Sequence, residues 1–225
     1  MKHFIKHNIF YILIYLGILC FVGYELLQAG KVDIHRAMNT YVGNPLIDAF
    51  FSFITHLGDG IFAFLVAIVF LFFNIRKSVY IIISYMGAAV VSSILKHLVF
   101  PHIYRPHFVF QYYVREELKI PADTDILGFN SFPSGHALSA FALFFCLLFV
   151  SRSHFLKILF FILAILAAYS RVYLSQHWLI DIYVGSIIGF CFALLFYVVF
   201  YHTQKWQYLN TTLPLLLSQR KTKRV

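Results

Sequence analysis

Six long, nearly continuous apolar runs leave few folds open to this chain of 225 residues. The runs cover residues 9–27, 58–75, 79–95, 132–150, 155–169 and 180–201. About 20 apolar residues in a helix cross the hydrocarbon core of a bilayer, where only helices and closed barrels satisfy their backbone hydrogen bonds. The runs lack the alternation of apolar and polar residues that is typical of barrel strands. We therefore predict an all-α fold, a six-helix transmembrane bundle.

The composition and the cysteines fit a bilayer environment. The chain is 61% hydrophobic and 12% charged, so a soluble domain of this size would have no interior large enough for its apolar side chains. Cys20, Cys146 and Cys191 all fall inside predicted spans, where a thiol behaves as a small apolar group. Their spacing fits neither a disulfide framework nor a zinc site.

The net charge of +9 is distributed unevenly along the chain. With six spans and a cytoplasmic N-terminus, 11 of the 18 basic residues fall on the cytoplasmic side. These are Lys2, Lys6, Arg76, Lys77, Arg152, Lys157, Lys205, Arg220, Lys221, Lys223 and Arg224. The nine acidic residues, from Glu25 to Asp181, fall on the other side or at helix ends facing it. This positive-inside pattern predicts a multi-pass protein of the cytoplasmic (inner) membrane with both termini in the cytoplasm, and it argues against a nucleic-acid partner.

Nothing in the sequence divides the chain, so residues 1–225 are predicted to form one domain with outer loops at 28–57 and 96–131. Within the first loop, the aromatic-rich residues 46–57 are predicted to lie in the membrane interface. Small residues at four-residue spacing predict close helix packing in the third and sixth spans. These residues are Ser84, Ala88 and Ser92, and Gly185 and Gly189.

The second outer loop is rich in aromatic and acidic residues. Its aromatic side chains fit either an interfacial belt or a lid that contacts lipid. They are Phe108, Phe110, Tyr112 and Tyr113. Its acidic residues fit a solvated loop face. They are Glu116, Glu117, Asp123 and Asp125.

Three polar clusters interrupt the apolar pattern, all at helix ends on the predicted outer side. Their members are Lys96, Arg105 and Pro106; Pro133, Ser134, Gly135 and His136; and Ser170, Arg171, His177 and Asp181. Taken singly, each has a structural interpretation, as basic side chains that extend to the membrane surface, as an ordinary helix start, or as a His–Asp pair at a helix entrance. Ionisable groups from three helix ends on one face together indicate a functional site.

The charges of these clusters suit a phosphate group. Arg105 and Arg171 can each hold phosphate oxygens in a bidentate manner, and Lys96 adds a compact point charge. Backbone N–H groups at the positive end of the fourth helix add further donors. They belong to Ser134, Gly135 and His136. Gly135 has no side chain, which allows an anion to approach the backbone closely.

The two histidines suit different steps of phosphate removal. His177 and Asp181 are four residues apart, so on a helix they share one face and the carboxylate can hold one ring nitrogen protonated. The other nitrogen can then attack phosphorus and form a phosphohistidine. His136 is predicted to protonate the leaving oxygen and then to activate water. A metal mechanism fits poorly because three cations would repel a divalent ion, so we expect no metal and no cofactor.

These residues resemble the three-part signature of the type 2 phosphatidic acid phosphatase superfamily. The second and third clusters match it residue for residue, including their internal spacing, and the six-span layout extends the resemblance over most of the chain. The first cluster departs from the family pattern, because eight residues rather than six separate Lys96 from Arg105. His97 and His102 lie in this segment and are alternatives for the contact that Lys96 would make.

The resemblance implies metal-independent removal of phosphate from a membrane lipid phosphate or pyrophosphate, with the residues in the roles given above. It does not distinguish among undecaprenyl pyrophosphate, phosphatidylglycerol phosphate, phosphatidic acid and the phosphates of lipid A, because the signature contacts only the shared phosphoryl group. Three other interpretations stay open. They are a lipid phosphotransferase, a carrier or sensor that binds anionic lipid without chemistry, and a vanadate-dependent halide oxidase.

Overall fold

The computed structural model describes residues 2–122, 124–125 and 127–222. Outside the described residues lie Asp123, Lys223 and Arg224, together with the side chains of Lys2, Arg220 and Lys221. The all-α prediction is confirmed, since 79% of the structure is helical and the described residues contain no strand.

The helices are numbered in chain order. They are α1 (Lys2–Gln28), α2 (Lys31–Asn39), α3 (Pro45–Ile54), α4 (Gly60–Phe73), α5 (Ile75–Ile94), α6 (Pro106–Val109), α7 (Gly135–Val150), α8 (His154–Tyr173), α9 (Leu179–Tyr197) and α10 (Leu213–Thr222). Wide π turns extend three of them at Leu95–Val99, Phe110–Val114 and Val198–His202, and tighter 3₁₀ turns lie at Thr55–Gly58 and Gln204–Leu209.

Several of these helices are long and apolar enough to cross a membrane. Among the described residues four qualify by length and composition, namely α1, α5, α8 and α9. Both α5 and α9 are counted together with the π turns that extend them. The helices Pro45–Gly58 and Gly60–Phe73 meet at an angle of 59° and give a fifth span if they are taken together. The protein is therefore a multi-pass membrane protein, and the exact count of six spans stays a prediction.

The short helix α7 lies at the centre of the bundle. Its 16 residues reach about 24 Å, less than the roughly 30 Å of hydrocarbon in a bilayer. Residues 137–149 are all buried, and α7 packs against α5, α8 and α9. Because protein rather than lipid surrounds it, α7 does not have to match the thickness of the membrane.

Glycines allow α9 to approach α7 closely. A Cβ atom at Gly185 would lie 2.6 Å from the carbonyl oxygen of Ser134, and one at Gly189 would meet the carbonyl oxygen of Leu138. The predicted small-residue face of α5 is buried as well. It consists of Ser84, Ala88 and Ser92. The small residues therefore have the packing role that their spacing predicts.

Two buried basic residues tie helix ends together at one end of the bundle, here called the basic end. Lys157 at the start of α8 donates to the carbonyl oxygen of Leu148 at 3.0 Å and to the side chain of Asn8. Arg76 at the start of α5 donates through Nε to the carbonyl oxygen of Phe200 at 3.0 Å. Cations are favoured where a helix ends, because its last carbonyl groups carry partial negative charge.

The two predicted outer loops contain helices and are only partly irregular. In the first, Asn44 caps α3 by accepting from the backbone N–H groups of Leu46 and Ile47, and Pro45 occupies the first helical position, so the predicted interfacial stretch is mostly helix. In the second, Phe110 is buried against the rings of His35 and Trp178. It therefore belongs neither to an interfacial belt nor to a lipid-facing lid.

The other residues of the second loop are more exposed. Tyr112 and Tyr113 are exposed, so they fit either of the two interpretations given for the aromatic residues. Glu117 and Asp125 are exposed as predicted, whereas Glu116 forms an ion pair with Arg36 at 2.8 Å. This ion pair fastens the loop to α2.

Candidate active site

Hydrogen bonds between the three clusters bring them together at the end of the bundle opposite the basic end. Arg105 of the first cluster donates through Nη1 to the carbonyl oxygen of Gln176 in the third, at 2.9 Å. The backbone N–H of Ser134 in the second cluster donates to the carbonyl oxygen of Asp181 in the third, at 3.1 Å. Residues that are far apart in sequence therefore form one site.

His177 lies in the loop between α8 and α9 and is almost completely buried. Its Nδ1 lies 3.3 Å from Oδ2 of Asp181. The spacing predicted that the two residues share a helix face. This prediction is wrong, because α9 begins only at Leu179. The Asp181 carboxylate instead reaches back across the helix start, where it also accepts from the backbone N–H of Trp178 at 3.0 Å. In the tautomer that carries its proton on Nδ1, this nitrogen donates to the carboxylate and Nε2 is unprotonated.

Ser131 is a member of the site that the sequence analysis missed. It is fully buried, and its hydroxyl donates to the same Oδ2 atom of Asp181. Three donors thus meet one carboxylate oxygen. Nothing in the sequence marks Ser131, because a serine just before a helix start is ordinary and its partner lies 50 residues away.

Three cations surround His177. The pKa of this imidazole lies well below its usual range, chiefly because of burial and then because of the charges of Arg105, Arg171 and Lys96. The ring is therefore neutral near pH 7. Lys96 belongs to this charged group despite the unusual spacing of the first cluster.

The two extra residues of the first cluster are taken up by irregular backbone. Lys96 lies in the wide turn Leu95–Val99, and the chain then bends before Arg105, with a positive φ of 67° at His102. His97 and His102 are both exposed, so neither ring is buried with the site residues. The lysine, rather than either histidine, lies among the site cations.

Both arginines of the site are buried. Arg171 donates through Nη1 to the hydroxyl of Thr55 at 2.7 Å, while its Nε has no hydrogen-bond partner in the described part of the chain. Arg105 donates through Nε to the carbonyl oxygen of Phe129 at 2.9 Å. A buried guanidinium with an unsatisfied N–H is costly unless an anion binds to it. Thr55 was not predicted, because its partner lies 116 residues away.

The N-terminus of α7 offers fewer backbone donors than predicted. The N–H of Ser134 is already bonded to Asp181, so only the N–H groups of Gly135 and His136 are candidates. The Ser134 side chain caps the helix by accepting from the N–H of Ala137 at 3.3 Å, which leaves its own hydroxyl hydrogen to donate. Apart from adjacent residues and the backbone of α7 itself, no atom of the described residues lies within 4 Å of the position that a Cβ at Gly135 would take. There is room for a ligand at this helix end.

His136 occupies the more open side of the site. Its side chain is 29% exposed, and Nε2 lies 2.8 Å from Oδ1 of Asp59, a residue that the sequence analysis did not select. Gly58 packs against the backbone of His136, since a Cβ there would lie 3.0 Å from its carbonyl oxygen. The segment before α4 therefore closes one side of the site.

The arrangement combines a neutral buried imidazole, three cations, a helix N-terminus and a second, accessible imidazole. The cations and N–H groups can bind the oxygens of a tetrahedral anion. The two rings can supply a nucleophile and a proton donor. In the described part of the chain, no group of three or more His, Cys, Asp or Glu side chains is arranged to hold a metal ion.

Comparisons with known proteins agree with this geometry. A family model described as the PAP2 superfamily matches residues 77–205, which include all three clusters. The crystal structure of Aquifex aeolicus LpxE is similar, with a TM-score of 0.64, 27% identity, and coverage of 75% of this chain and 94% of that one. A transmembrane PAP2 type phosphatidylglycerolphosphate phosphatase from Bacillus subtilis shares the fold, with a TM-score of 0.64, 20% identity, and coverage of 89% and 98%.

No curated protein matches the chain. The matched family segment nevertheless covers more than half of the chain, and it contains all three polar clusters of the site. The chain therefore belongs to the PAP2 superfamily, the type 2 phosphatidic acid phosphatases, and is an enzyme of the lipid phosphatase class.

Proposed function

We propose that this protein is a metal-independent phosphatase that hydrolyses a lipid phosphate or lipid pyrophosphate through a phosphohistidine at His177. The observation that carries the proposal is the enclosure of a buried, neutral His177 by three cations, one of which, Arg171, has a buried N–H without a partner. Phosphate oxygens match the donors of this pocket in charge and geometry.

The phosphoryl group is held from several directions. Arg105, Arg171 and Lys96 bind its oxygens, and the N–H groups of Gly135 and His136 approach from the end of α7. The hydroxyl of Ser134 adds one more donor. Negative charge builds on the equatorial oxygens during phosphoryl transfer, so these groups stabilise the transition state more than the bound substrate.

In the first step, Nε2 of His177 attacks phosphorus. The new N–P bond forms as the bond from phosphorus to the leaving oxygen breaks, and His136 gives its proton to that oxygen. Asp181 keeps Nδ1 protonated and balances the positive charge that develops on the ring.

In the second step, water hydrolyses the phosphohistidine. His136, now neutral, removes a proton from the attacking water as the new P–O bond forms and the N–P bond breaks. Inorganic phosphate leaves, His177 returns to its neutral form, and His136 is protonated again.

We further propose that the chain forms one domain of six spans, with α4 and α7 as the two short ones, in the cytoplasmic membrane. Basic residues at the basic end and acidic residues near the site support cytoplasmic termini and a site that faces the periplasm or the outside. The site lies at helix ends beside apolar surface, so a phosphate attached to a membrane lipid can reach it without leaving the bilayer.

The substrate class is a lipid with a terminal phosphate or pyrophosphate. One neighbour in fold is a phosphatidylglycerolphosphate phosphatase, which makes that lipid one member of a test panel. Undecaprenyl pyrophosphate, phosphatidic acid and lipid A are the other three. All present the same phosphoryl oxygens and differ in the part that the site cations do not contact.

The test is phosphate release by the purified protein in detergent from these four lipids, with and without a chelator. We expect release that persists in chelator and is lost in both His177→Ala and His136→Ala. A strict requirement for a divalent ion, or full activity in His177→Ala, would contradict the proposal. Transfer of radiolabelled phosphate to a second lipid instead of water would identify the reaction as phosphotransfer.

A further inference from the structure

The two histidines of the site are each paired with a carboxylate, and only one of these pairs was predicted from sequence. His177 is paired with Asp181 in the buried part of the site. His136 is paired with Asp59, with 2.8 Å between Nε2 and Oδ1. The second pair is half-exposed, with 29% of the His136 side chain and 39% of the Asp59 side chain accessible.

Backbone contacts fix the position of Asp59 relative to His136. Asp59 is the residue before α4, and its carbonyl oxygen accepts from the N–H of Ala63 in the first turn. Its own N–H donates to the carbonyl oxygen of His56. The preceding Gly58 lies directly against the His136 backbone. The packing of the two backbone segments therefore holds the Asp59 carboxylate beside the His136 ring.

The charges around His136 oppose the role proposed for it. Partial burial, and then the positive charges of Arg171 from α8 and Arg105 from the second outer loop, disfavour an imidazolium at His136. A general acid must nevertheless carry a proton before the leaving oxygen departs. Asp59 supplies the opposing negative charge. His56 also contacts Asp59 at 3.3 Å but is largely exposed.

We propose that Asp59 is a positioning residue that orients His136 and stabilises its imidazolium form for leaving-group departure. This role rests on the proposed function, in which His136 is the general acid. The proton moves from the His136 imidazolium to the leaving oxygen in the first step, and His136 regains a proton from water in the second.

The test compares two leaving groups in Asp59→Asn. An alkyl lipid phosphate needs protonation of its leaving oxygen. In contrast, p-nitrophenyl phosphate releases a stable phenolate, whose departure needs little assistance from a general acid. We expect kcat/KM for the alkyl substrate to fall about 10- to 100-fold, with a change of less than about threefold for p-nitrophenyl phosphate. The ratio of the two rates on one preparation is independent of how much protein is folded.

Two variants serve as controls, and a pH profile adds a further check. Asp59→Glu retains the carboxylate and should recover part of the alkyl phosphatase activity. Asp33→Asn removes a similar charge from an exposed carboxylate that forms an ion pair with Arg36 on α2, and it should leave both rates unchanged. The alkaline limb of the kcat/KM profile for the alkyl substrate should move to lower pH in Asp59→Asn, because the imidazolium loses its stabilising charge.

The outcomes separate this inference from the proposed function. His136→Ala should show the same leaving-group dependence as Asp59→Asn with a larger loss. If His136→Ala keeps full alkyl phosphatase activity, the general-acid role fails and the role of Asp59 fails with it. If His136→Ala behaves as expected but Asp59→Asn lowers both rates equally, leaves both unchanged or raises them, the inference about Asp59 alone is overturned.

Discussion

At the scale of single residues, the carboxylate oxygen Oδ2 of Asp181 organises the buried half of the site. It accepts from the hydroxyl of Ser131, the backbone N–H of Trp178 and Nδ1 of His177. A carboxylate with this many donors keeps its orientation while charge develops on the neighbouring ring. The contribution of Ser131 can be measured separately, because its side chain makes no contact with the phosphate in the proposed mechanism.

Replacing Ser131 with alanine should lower kcat/KM about tenfold or more, since a hydrogen bond to a charged group is worth roughly 1.5–3 kcal/mol. The measurement is steady-state phosphate release by protein that elutes normally in size exclusion. Ser186→Ala, which removes a buried hydroxyl bonded to Tyr15 and to the carbonyl oxygen of Tyr183, is the matched control and should retain activity. Equal activity in both variants would remove Ser131 from the account.

The low pKa of His177 also has a measurable consequence. Because the folded state keeps this ring neutral well below the ordinary value of about 6.5, it remains a competent nucleophile in mildly acidic buffer. We predict that kcat/KM, corrected for ionisation of the substrate phosphate, shows no loss of the His177 nucleophile near pH 6.5. A corrected acid limb centred there would contradict the neutral, cation-surrounded ring.

The same shift affects stability in a defined direction. As pH falls below about 6.5, the unfolded chain binds a proton at His177 that the folded chain does not bind, so the free energy of unfolding decreases. His177→Gln should therefore weaken the dependence of the melting temperature on pH between about 6.5 and 5, measured in detergent. An unchanged dependence would mean that the folded and unfolded states bind this proton alike.

At the scale of helices, two glycines near the start of α7 have different surroundings, so alanine substitutions should affect activity at one and stability at the other. Apart from adjacent residues and its own helix backbone, a Cβ at Gly135 meets no atom of the described residues within 4 Å, whereas one at Gly185, on the neighbouring α9, would lie 2.6 Å from a carbonyl oxygen. The first position faces room for a ligand, and the second faces packed backbone.

Gly135→Ala should keep the melting temperature and lose activity, because the new methyl group enters the space proposed for phosphate. Gly185→Ala should lower the melting temperature by about 2 °C or more, since overpacking typically costs 1–3 kcal/mol. Thermal unfolding and kcat/KM of both variants check this. Full activity in Gly135→Ala, or a large loss of stability there, would show that phosphate does not use this space.

The elements also show what the sequence could and could not predict. Hydropathy is a local property, so each of the six apolar runs coincides with a helix. The spacing within each signature cluster is local as well, so the sequence predicted His136, Arg171, His177 and Asp181 as site residues. Helix ends depend on tertiary contacts instead. The fifth run was predicted to end at residue 169, but α8 continues to Tyr173.

Residues that act through distant partners escaped prediction. Ser131, Thr55 and Asp59 are ordinary polar residues near helix starts, and only the fold reveals their contacts with Asp181, Arg171 and His136. The geometry of the His177–Asp181 pair was also predicted incorrectly. A spacing of four residues gives a shared helix face only when both residues are helical, and here the helix begins between them.

At the scale of the whole molecule, lipid takes the place of water around much of the protein surface. Large apolar side chains are exposed on the outward faces of α1, α4 and α8, including Phe21, Phe64 and Phe155. In water such a surface would drive aggregation, whereas lipid chains solvate it. The direction in which the bundle crosses the membrane then decides which compartment the site faces.

The proposed orientation predicts which cysteines an impermeant maleimide can reach on intact cells. In a background with Cys20, Cys146 and Cys191 changed to alanine, Glu117→Cys in the second outer loop should be labelled and Lys205→Cys beyond α9 should not. Both positions are exposed in the structure. Labelling of Lys205→Cys alone would reverse the orientation, and permeabilised cells provide the control for reactivity.

The most direct measurement of the central claim is to trap the phosphorylated enzyme. The wild-type protein would be mixed with a radiolabelled lipid phosphate in chelator, quenched in base and digested, and the labelled peptide sequenced. We predict base-stable, acid-labile label on His177, none in His177→Ala, and weaker labelling in Arg171→Lys because the bidentate contact is lost. Label on another residue, or turnover by His177→Ala, would contradict the account.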